Sequence, residues 1–160
     1  MRNMDSSGAK SFIEGEYRGH GHGSYPTISD FAYLETLTFS LSPKGFIVYS
    51  QATTNPETGE PMHQERGYLR LGESMEAELV VSQPTGVAEI DTGPVREEGG
   101  ALVLDLHSTG LIVSPTAKPV NAIRRRYRFS ERGLDYEVWM SIPGVELTVH
   151  LAGSLSRQGF

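Results

Sequence analysis

The sequence has no cysteine among its 160 residues. Disulfides, thiolate metal sites and cysteine nucleophiles are therefore excluded, which leaves histidine and carboxylate side chains as metal ligands. No apolar run approaches the roughly 20 residues that a membrane-spanning helix needs, and the first ten residues lack the apolar stretch of a signal peptide. We therefore expect a cytoplasmic protein without a membrane partner.

Basic residues are also scarce, since 14 Lys and Arg stand against 20 Asp and Glu, for a formal net charge of −6. Phosphate binding needs a positive surface, so we expect no nucleic acid partner. The run from Arg124 to Arg126 does not change this, because successive side chains of a strand point to opposite faces. A nucleophile elbow, a phosphate loop and a pair of placed carboxylates are all missing, so hydrolase and nucleotide chemistry have no support.

Glycine and proline, at 18 and 9 residues, are spaced like turns between short segments rich in β-branched and aromatic residues. This pattern predicts an all-β protein of about ten antiparallel strands joined by hairpins. Pairing of the last strand with the first would remove exposed edges and close a single up-and-down barrel wide enough for a ligand cavity. We expect this barrel over residues 11–160 and a disordered segment over residues 1–10. The predicted strands are 12–20, 31–40, 46–53, 62–70, 76–82, 87–92, 101–108, 121–129, 134–141 and 146–156.

Residue alternation in the last predicted strand bears on His150. Leu147, Val149, Leu151 and Leu155 fall on one face, and this places His150 on the opposite face with Thr148, Ala152 and Ser154. Alternation alone would turn His150 outward. A barrel that holds a bulky flat ligand needs small residues beside it on the inner face, so the orientation stays open at this point.

Several separated motifs stand in order along the chain, and together they are far more specific than any one of them. They are the glycine-rich element Gly15–Gly21, Tyr25-Pro26-Thr27-Ile28, the segment from Pro61 to Arg70, Pro84-Thr85-Gly86, Pro115-Thr116-Ala117-Lys118, and His150-Leu151-Ala152. From about Gly15 to Arg157 the chain resembles the nitrobindins, haem-binding relatives of the lipocalin-like fatty-acid-binding-protein barrels. In their G-x-W-x-G-x-G element Gly15, Gly19 and Gly21 match, whereas Tyr17 replaces the tryptophan.

The resemblance implies one haem b per chain, with His150 as the axial ligand of the iron. It further implies that Lys118 and Thr27 contact the haem, through a propionate charge and a hydroxyl hydrogen bond respectively. Its implied chemistry is the reaction of ferric haem with nitric oxide and peroxynitrite, including isomerisation of peroxynitrite to nitrate. Tyr17 is expected to plug the barrel end as the tryptophan would, with its polar tip bonded. A homodimer remains open.

Two other functions stay open beside the haem protein. The barrel could carry an apolar ligand such as a fatty acid, or its interior could be filled by side chains and bind nothing. Among the remaining histidines, we expect His20 and His22 to be solvated, and His63 and His107 to be surface or hydrogen-bonded residues. We expect Arg125 to face inward and to pair with a structural carboxylate, Glu35 or Glu65, in preference to a haem propionate.

Overall fold

The computed structural model describes residues 3–159, and this part of the chain contains one helix and ten strands. Helix α1 spans Ser6–Ile13. The strands are β1 (Gly15–Tyr25), β2 (Ile28–Leu41), β3 (Ile47–Thr54), β4 (Pro61–Leu71), β5 (Glu76–Gln83), β6 (Val87–Glu98), β7 (Ala101–Val113), β8 (Ala122–Phe129), β9 (Gly133–Ile142) and β10 (Val145–Arg157). The ten predicted strands are confirmed, although several run longer than predicted. No helix among residues 3–159 is long and apolar enough to cross a membrane.

The strands form a closed barrel in which each strand pairs with its neighbours in sequence. All of these pairings are antiparallel, as hairpin connections require. Closure comes from β1 and β10, which pair in one continuous register from Tyr17↔Arg157 to Gly23↔Leu151. The predicted all-β, up-and-down barrel is therefore confirmed.

Because the strands run alternately up and down, the connections fall at two ends of the barrel. The end covered by α1, which we call the helix end, carries the β2–β3, β4–β5, β6–β7 and β8–β9 turns. The opposite end, which we call the far end, carries the β1–β2, β3–β4, β5–β6, β7–β8 and β9–β10 connections. Five of the six sequence motifs contribute residues to the far end.

The helix end is closed by α1 and Tyr17. Asp5 caps α1 by accepting a hydrogen bond from the Gly8 amide, and Ala9 and Ile13 are fully buried against the barrel. The hydroxyl of Tyr17, itself fully buried, donates to the Ile13 carbonyl at 2.7 Å. From the sequence we expected disorder over residues 1–10 and a strand from residue 12. Residues 1 and 2 lie outside the described residues, but residues 6–13 form α1 instead, because burial of one apolar face fixes the segment.

Candidate functional site

A β-bulge turns His150 towards the inside of the far end. Val149 pairs with Trp139 and Leu151 pairs with Val138, so His150 is an extra residue without an opposite partner on β9. A bulge breaks the simple alternation of faces and re-aims a side chain. His150 therefore points into the barrel, as Leu151 does. Alternation alone would have placed it outside.

The surroundings of His150 fix its ring. Nδ1 lies 3.2 Å from the carbonyl oxygen of Ser24 on β1, and the rings of Tyr25 and Phe31 stand edge-on to the imidazole at centroid distances of 5.2 and 6.4 Å. A carbonyl oxygen only accepts, so Nδ1 carries the hydrogen and Nε2 keeps its lone pair. The Tyr25 hydroxyl in turn donates to the Met140 carbonyl at 2.9 Å. This is the arrangement that orients a metal-binding histidine in proteins.

Burial also favours the neutral form of this imidazole. Desolvation lowers the pKa of His150 below its ordinary value; the bond to the Ser24 carbonyl opposes this effect, and the charge of His63 adds to it. A neutral imidazole with one free nitrogen is the form that coordinates iron. Across residues 3–159, no group of three or more His, Cys, Asp or Glu side chains is arranged to hold a bare metal ion.

Two glycines let aromatic rings lie flat against the wall beside His150. Gly21 on β1 and Gly153 on β10 are register partners, and a Cβ on either one would overlap the ring of Tyr33 or Tyr136, respectively. The hydroxyls of Tyr33 and Tyr136 hydrogen-bond to each other inside the barrel. Because glycine has no side chain, another group can approach the strand backbone closely at its position. The wall next to His150 is consequently aromatic and flat.

Below this wall lies a layer of buried charge centred on Arg125, which is 3% exposed. Its guanidinium holds Glu65 in a bidentate pair, with Nη1–Oε1 and Nη2–Oε2 distances of 2.8 and 3.0 Å. It also contacts Glu89, and its Nε lies 3.2 Å from Oδ2 of Asp91. The inward orientation of Arg125 and its predicted pairing with a structural carboxylate are therefore confirmed, with Glu65 as the main partner.

This layer, which we call the charged floor, contains more acids than bases. Burial raises the pKa of Glu35 to about 7 and that of Asp91 to about 8, despite the opposing charge of Arg125. Burial acts in the same direction on Glu65, but Arg125 and the hydrogen bond from His63 outweigh it and hold the pKa of Glu65 well below its ordinary value. Buried charge must be paired or neutralised, so at neutral pH Asp91 mostly keeps its proton and Glu35 is partly protonated.

The histidines other than His150 lie as expected from the sequence. His20 and His22 are exposed on β1, and His107 is exposed on β7 with its Nε2 3.6 Å from Asp105. His63 is half-buried on β4, where its Nε2 lies 3.2 Å from Oε2 of Glu65.

Thr27 and Lys118 lie at the same end of the barrel as His150, in the β1–β2 turn and the β7–β8 connection, and both are exposed. No hydrogen bond joins either side chain to His150 among the described residues. The connection that carries Lys118 is anchored by a neighbouring motif, since the Ser114 amide donates to the Gly86 carbonyl at 2.8 Å. Two motifs far apart in sequence therefore touch at this end.

The glycine-rich element lies along β1 and joins the two ends. Gly15 and Tyr17 lie towards the helix end, while Gly19 and Gly21 lead towards the far end. Gly19 stands opposite Leu155, where a Cβ would overlap the β10 backbone. The element thus permits the tight pairing that closes the barrel.

One expectation about the small neighbours of His150 was wrong. Ala152 and Ser154 were placed on its face, but Ser154 is exposed and its hydroxyl donates to Asp135. The bulge separates His150 from these residues. Aromatic side chains surround its ring instead, and Gly21 and Gly153 make room for two of them, Tyr33 and Tyr136. The glycine pattern of β1 was the visible signal of this packing.

These features fit a flat macrocycle with a central metal. The imidazole is neutral and presents Nε2, its orientation is fixed through Nδ1, and the adjoining wall is aromatic. Planar apolar surfaces pack well against such a wall. As a neutral nitrogen donor, Nε2 of His150 would hold the iron of such a group.

Comparison with known proteins agrees with this geometry. The family model described as "THAP4-like, heme-binding beta-barrel domain" matches residues 7–157. Peroxynitrite isomerase 1 of Rhodococcus jostii is 45% identical over 143 residues, which cover 89% of this chain and 79% of that protein. Peroxynitrite isomerase 2 of Mycobacterium avium is 41% identical over 144 residues, which cover 90% of this chain and 89% of that protein. The crystal structure of Rv2717c from M. tuberculosis has a TM-score of 0.91 at 38% identity and covers 96% of this chain and 98% of its own.

Proposed function

Since this chain belongs to the THAP4-like, haem-binding β-barrel family, which bears out its resemblance to nitrobindins, we propose that Nε2 of His150 holds one haem at the far end. The resemblance to nitrobindins implies haem b, and the lack of cysteine agrees with it because the covalent thioether attachment of a c-type haem is excluded. The same lack of cysteine suits a reducing compartment, and we assign the protein to the cytoplasm. The observation that carries the proposal is the bulge at His150, with Nδ1 fixed on the Ser24 carbonyl.

The side chains around His150 bind and orient the haem. The Ser24 carbonyl holds the imidazole in the tautomer that leaves Nε2 free, while Tyr25 and Phe31 keep the ring from rotating and keep water away from it. Lys118 offsets the charge of a propionate, and the hydroxyl of Thr27 donates a hydrogen bond at the rim. Both side chains are exposed at the end of the barrel where His150 lies.

We assign to this chain the reaction after which its relatives are named, the isomerisation of peroxynitrite to nitrate. A bound ferric haem would supply Lewis-acid chemistry towards the peroxynitrite anion. Substrate and product are isomers, so the reaction needs no net proton from the protein. The chain contributes ligation through His150, orientation through Ser24, and access through the far end.

The interior argues against a fatty acid carrier. A carboxylate headgroup needs a free cation, but the guanidinium of Arg125 is already paired with Glu65 and Glu89. The charged floor also removes the apolar space that a long acyl chain would occupy. A haem held above this floor meets the aromatic wall instead.

The proposal is tested by haemin titration of the purified protein, of His150→Ala and of His22→Ala. His22 is the matched control, because it lies near the same end of the barrel but is exposed on the outer face of β1. We expect the wild type and His22→Ala to give the same stoichiometric Soret change at one haemin per chain. His150→Ala should lose the spectrum of the ligated iron and bind haemin far more weakly.

Nitrate yield then tests the reaction. The ferric wild type and His22→Ala should speed peroxynitrite decay towards nitrate, whereas the apo-protein and His150→Ala should not. Equal haemin affinity and identical spectra for His150→Ala would show that another residue binds the iron. Normal haem binding with no gain in nitrate would show that the protein carries haem but is not an isomerase.

A further inference from the structure

Two rows of side chains cross the outer surface of five neighbouring strands, β3 to β7. Within each row, every residue is the register partner of the next one along. The two rows are two residues apart on every strand, so all their side chains share the outer face of the barrel. We call the two rows together the two-row face. The first row is Val48, Tyr68, Val80, Ile90 and Gly110, and the second row is Ser50, Arg66, Ser82, Ala88 and Ile112.

The two-row face is mostly apolar, and its large side chains are exposed. Those of the first row are 37% to 51% exposed, and Ile112 is 74% exposed, the highest value for a large apolar side chain among residues 3–159. Arg66 is the only charged member. The outer surface of β8 and β9 is different, since charged residues such as Arg126 and Glu137 pair across it. Single exposed apolar residues need no explanation, whereas a contiguous patch of them marks an interaction surface.

A groove crosses the two-row face because large and small residues are divided between the rows. On β3, β5 and β6 the larger residue belongs to the first row. On β7 the order is reversed, with Gly110 in the first row and Ile112 in the second. The groove has a volume of about 360 Å³ and is lined by members of both rows, from Tyr68 on β4 to Ile112 on β7. Ile112 therefore protrudes beside a groove of apolar character.

This arrangement is complementary to itself. A two-fold axis that runs across the strands between the rows would place the first row of one copy on the second row of another. Ile112 of each copy then packs on Gly110 of the other, and Tyr68 meets Arg66 in a cation–π contact. On β3, β5 and β6 a larger side chain likewise meets a smaller one. A second copy of the chain is thus the partner whose shape matches.

The charges and the size of the two-row face agree with this partner. The net charge of −6 makes two copies repel on average, but neither row contains an acid, and nearby Glu78 is paired with Arg70 at 3.3 Å. Strands spaced about 4.8 Å apart make the face about 24 Å wide, and the rows with one flanking residue on each side extend about 27 Å. The flat area of roughly 650 Å² approaches the value of about 800 Å² per partner that stable interfaces bury.

We propose that the two-row face is the surface through which two copies of this chain form a symmetric dimer. Ile112 is the knob that enters the groove of the other copy, and Gly110 and Ala88 provide the space for it. The dimer is independent of the proposed haem function, because the face contains none of the residues assigned to the haem.

Sedimentation velocity over a range of micromolar concentrations tests the dimer. The variants are Ile112→Lys and Ile90→Lys, and the matched control is Leu147→Lys. Leu147 is also exposed, at 43%, but it lies on β10, five strands from β5 in either direction. We expect a dimer for the wild type and Leu147→Lys, and a dissociation constant at least about tenfold higher for the other two, since each substitution enters the interface twice. Circular dichroism identifies a variant that fails to fold, and the other variant then decides.

Cross-linking tests the position of the interface. Because the chain has no cysteine, a single introduced thiol reports only on contacts between copies. A short bismaleimide should give a covalent dimer with Val80→Cys, at the centre of the face, and none with Leu147→Cys.

Three results would overturn the inference. A wild type that stays monomeric would do so, and if it floats with phosphatidylcholine vesicles, a lipid surface covers the face instead. A dimer that persists in both Ile112→Lys and Ile90→Lys would lie on another surface, and so would a wild-type dimer without cross-linking of Val80→Cys. Loss of haemin binding would refute the proposed function and leave the dimer unaffected.

Discussion

Glu35, in the charged floor, is the carboxyl group whose ionisation we expect to weaken the fold at alkaline pH. It is 4% exposed, and Nε2 of Gln51 donates to its Oε2 at 2.7 Å. Its other oxygen, Oε1, is buried without a partner among the described residues. Burial raises the pKa of Glu35 from 4.5 to about 7, because the charged form loses its hydration.

The direction of the pH effect follows from proton binding. Between pH 4.5 and 7 the unfolded chain has released the proton of Glu35 while the folded chain keeps it, so the free energy of unfolding falls as pH rises. One pKa unit corresponds to about 1.4 kcal/mol, so the full shift costs about 3 kcal/mol once Glu35 is ionised in both states. About 2.5 kcal/mol of this loss falls between pH 5 and 8.5.

Glu35→Gln removes this titration and keeps an oxygen acceptor for Gln51. Urea unfolding would be followed by fluorescence of Trp139, the single tryptophan, at several pH values from 5 to 8.5. We expect Glu35→Gln to gain about 2.5 kcal/mol relative to the wild type over this range. Comparing the two proteins at each pH cancels the other titrating groups. Exposed Glu73→Gln is the control, and a Glu35→Gln profile parallel to the wild type would refute the reasoning.

Two further predictions concern packing. Tyr17→Trp should fold and bind haemin like the wild type. Tyr17→Phe leaves the Ile13 carbonyl without its donor and should lower the free energy of unfolding by about 1–3 kcal/mol, measured by thermal unfolding. A Tyr17→Trp protein that misfolds would show that the helix end is packed differently from that of the relatives with tryptophan. Gly21→Ala should displace the Tyr33 ring, cost about 1–3 kcal/mol and weaken haemin binding. Its control is Gly72→Ala, whose Cβ would meet nothing within 4 Å, and equal stability of these two variants would contradict the close-approach argument.

The barrel was predictable because its signals are local. Hairpin turns such as Ser42–Gly45 define where strands end, and the structure has this turn with the Gly45 amide bonded to the Ser42 carbonyl. Helix α1 also had a local signal that strand counting missed. Asp5 is a good capping residue, and Ala9, Phe12 and Ile13 have the spacing of one helical face.

The orientation of His150 was not predictable from alternation, because a bulge is a property of two paired strands. Its inward position depends on β9, and its fixed ring depends on Ser24, which is 126 residues away in sequence. The charged floor escaped prediction for a similar reason. Glu89 and Asp91 face inward while Ile90 between them is 42% exposed. This reverses the usual pattern of apolar residues inside and polar residues outside, and the reason is the contact of both acids with Arg125.

The pairing of β1 with β10 also sets the order in which the binding site can form. Contacts between distant parts of a chain close the largest loops, and folds dominated by such contacts fold slowly. His150 meets Ser24 and Tyr25 only when the two ends of the chain have come together. We therefore expect partly folded chains to lack the site, so that haem capture is restricted to chains whose barrel has closed.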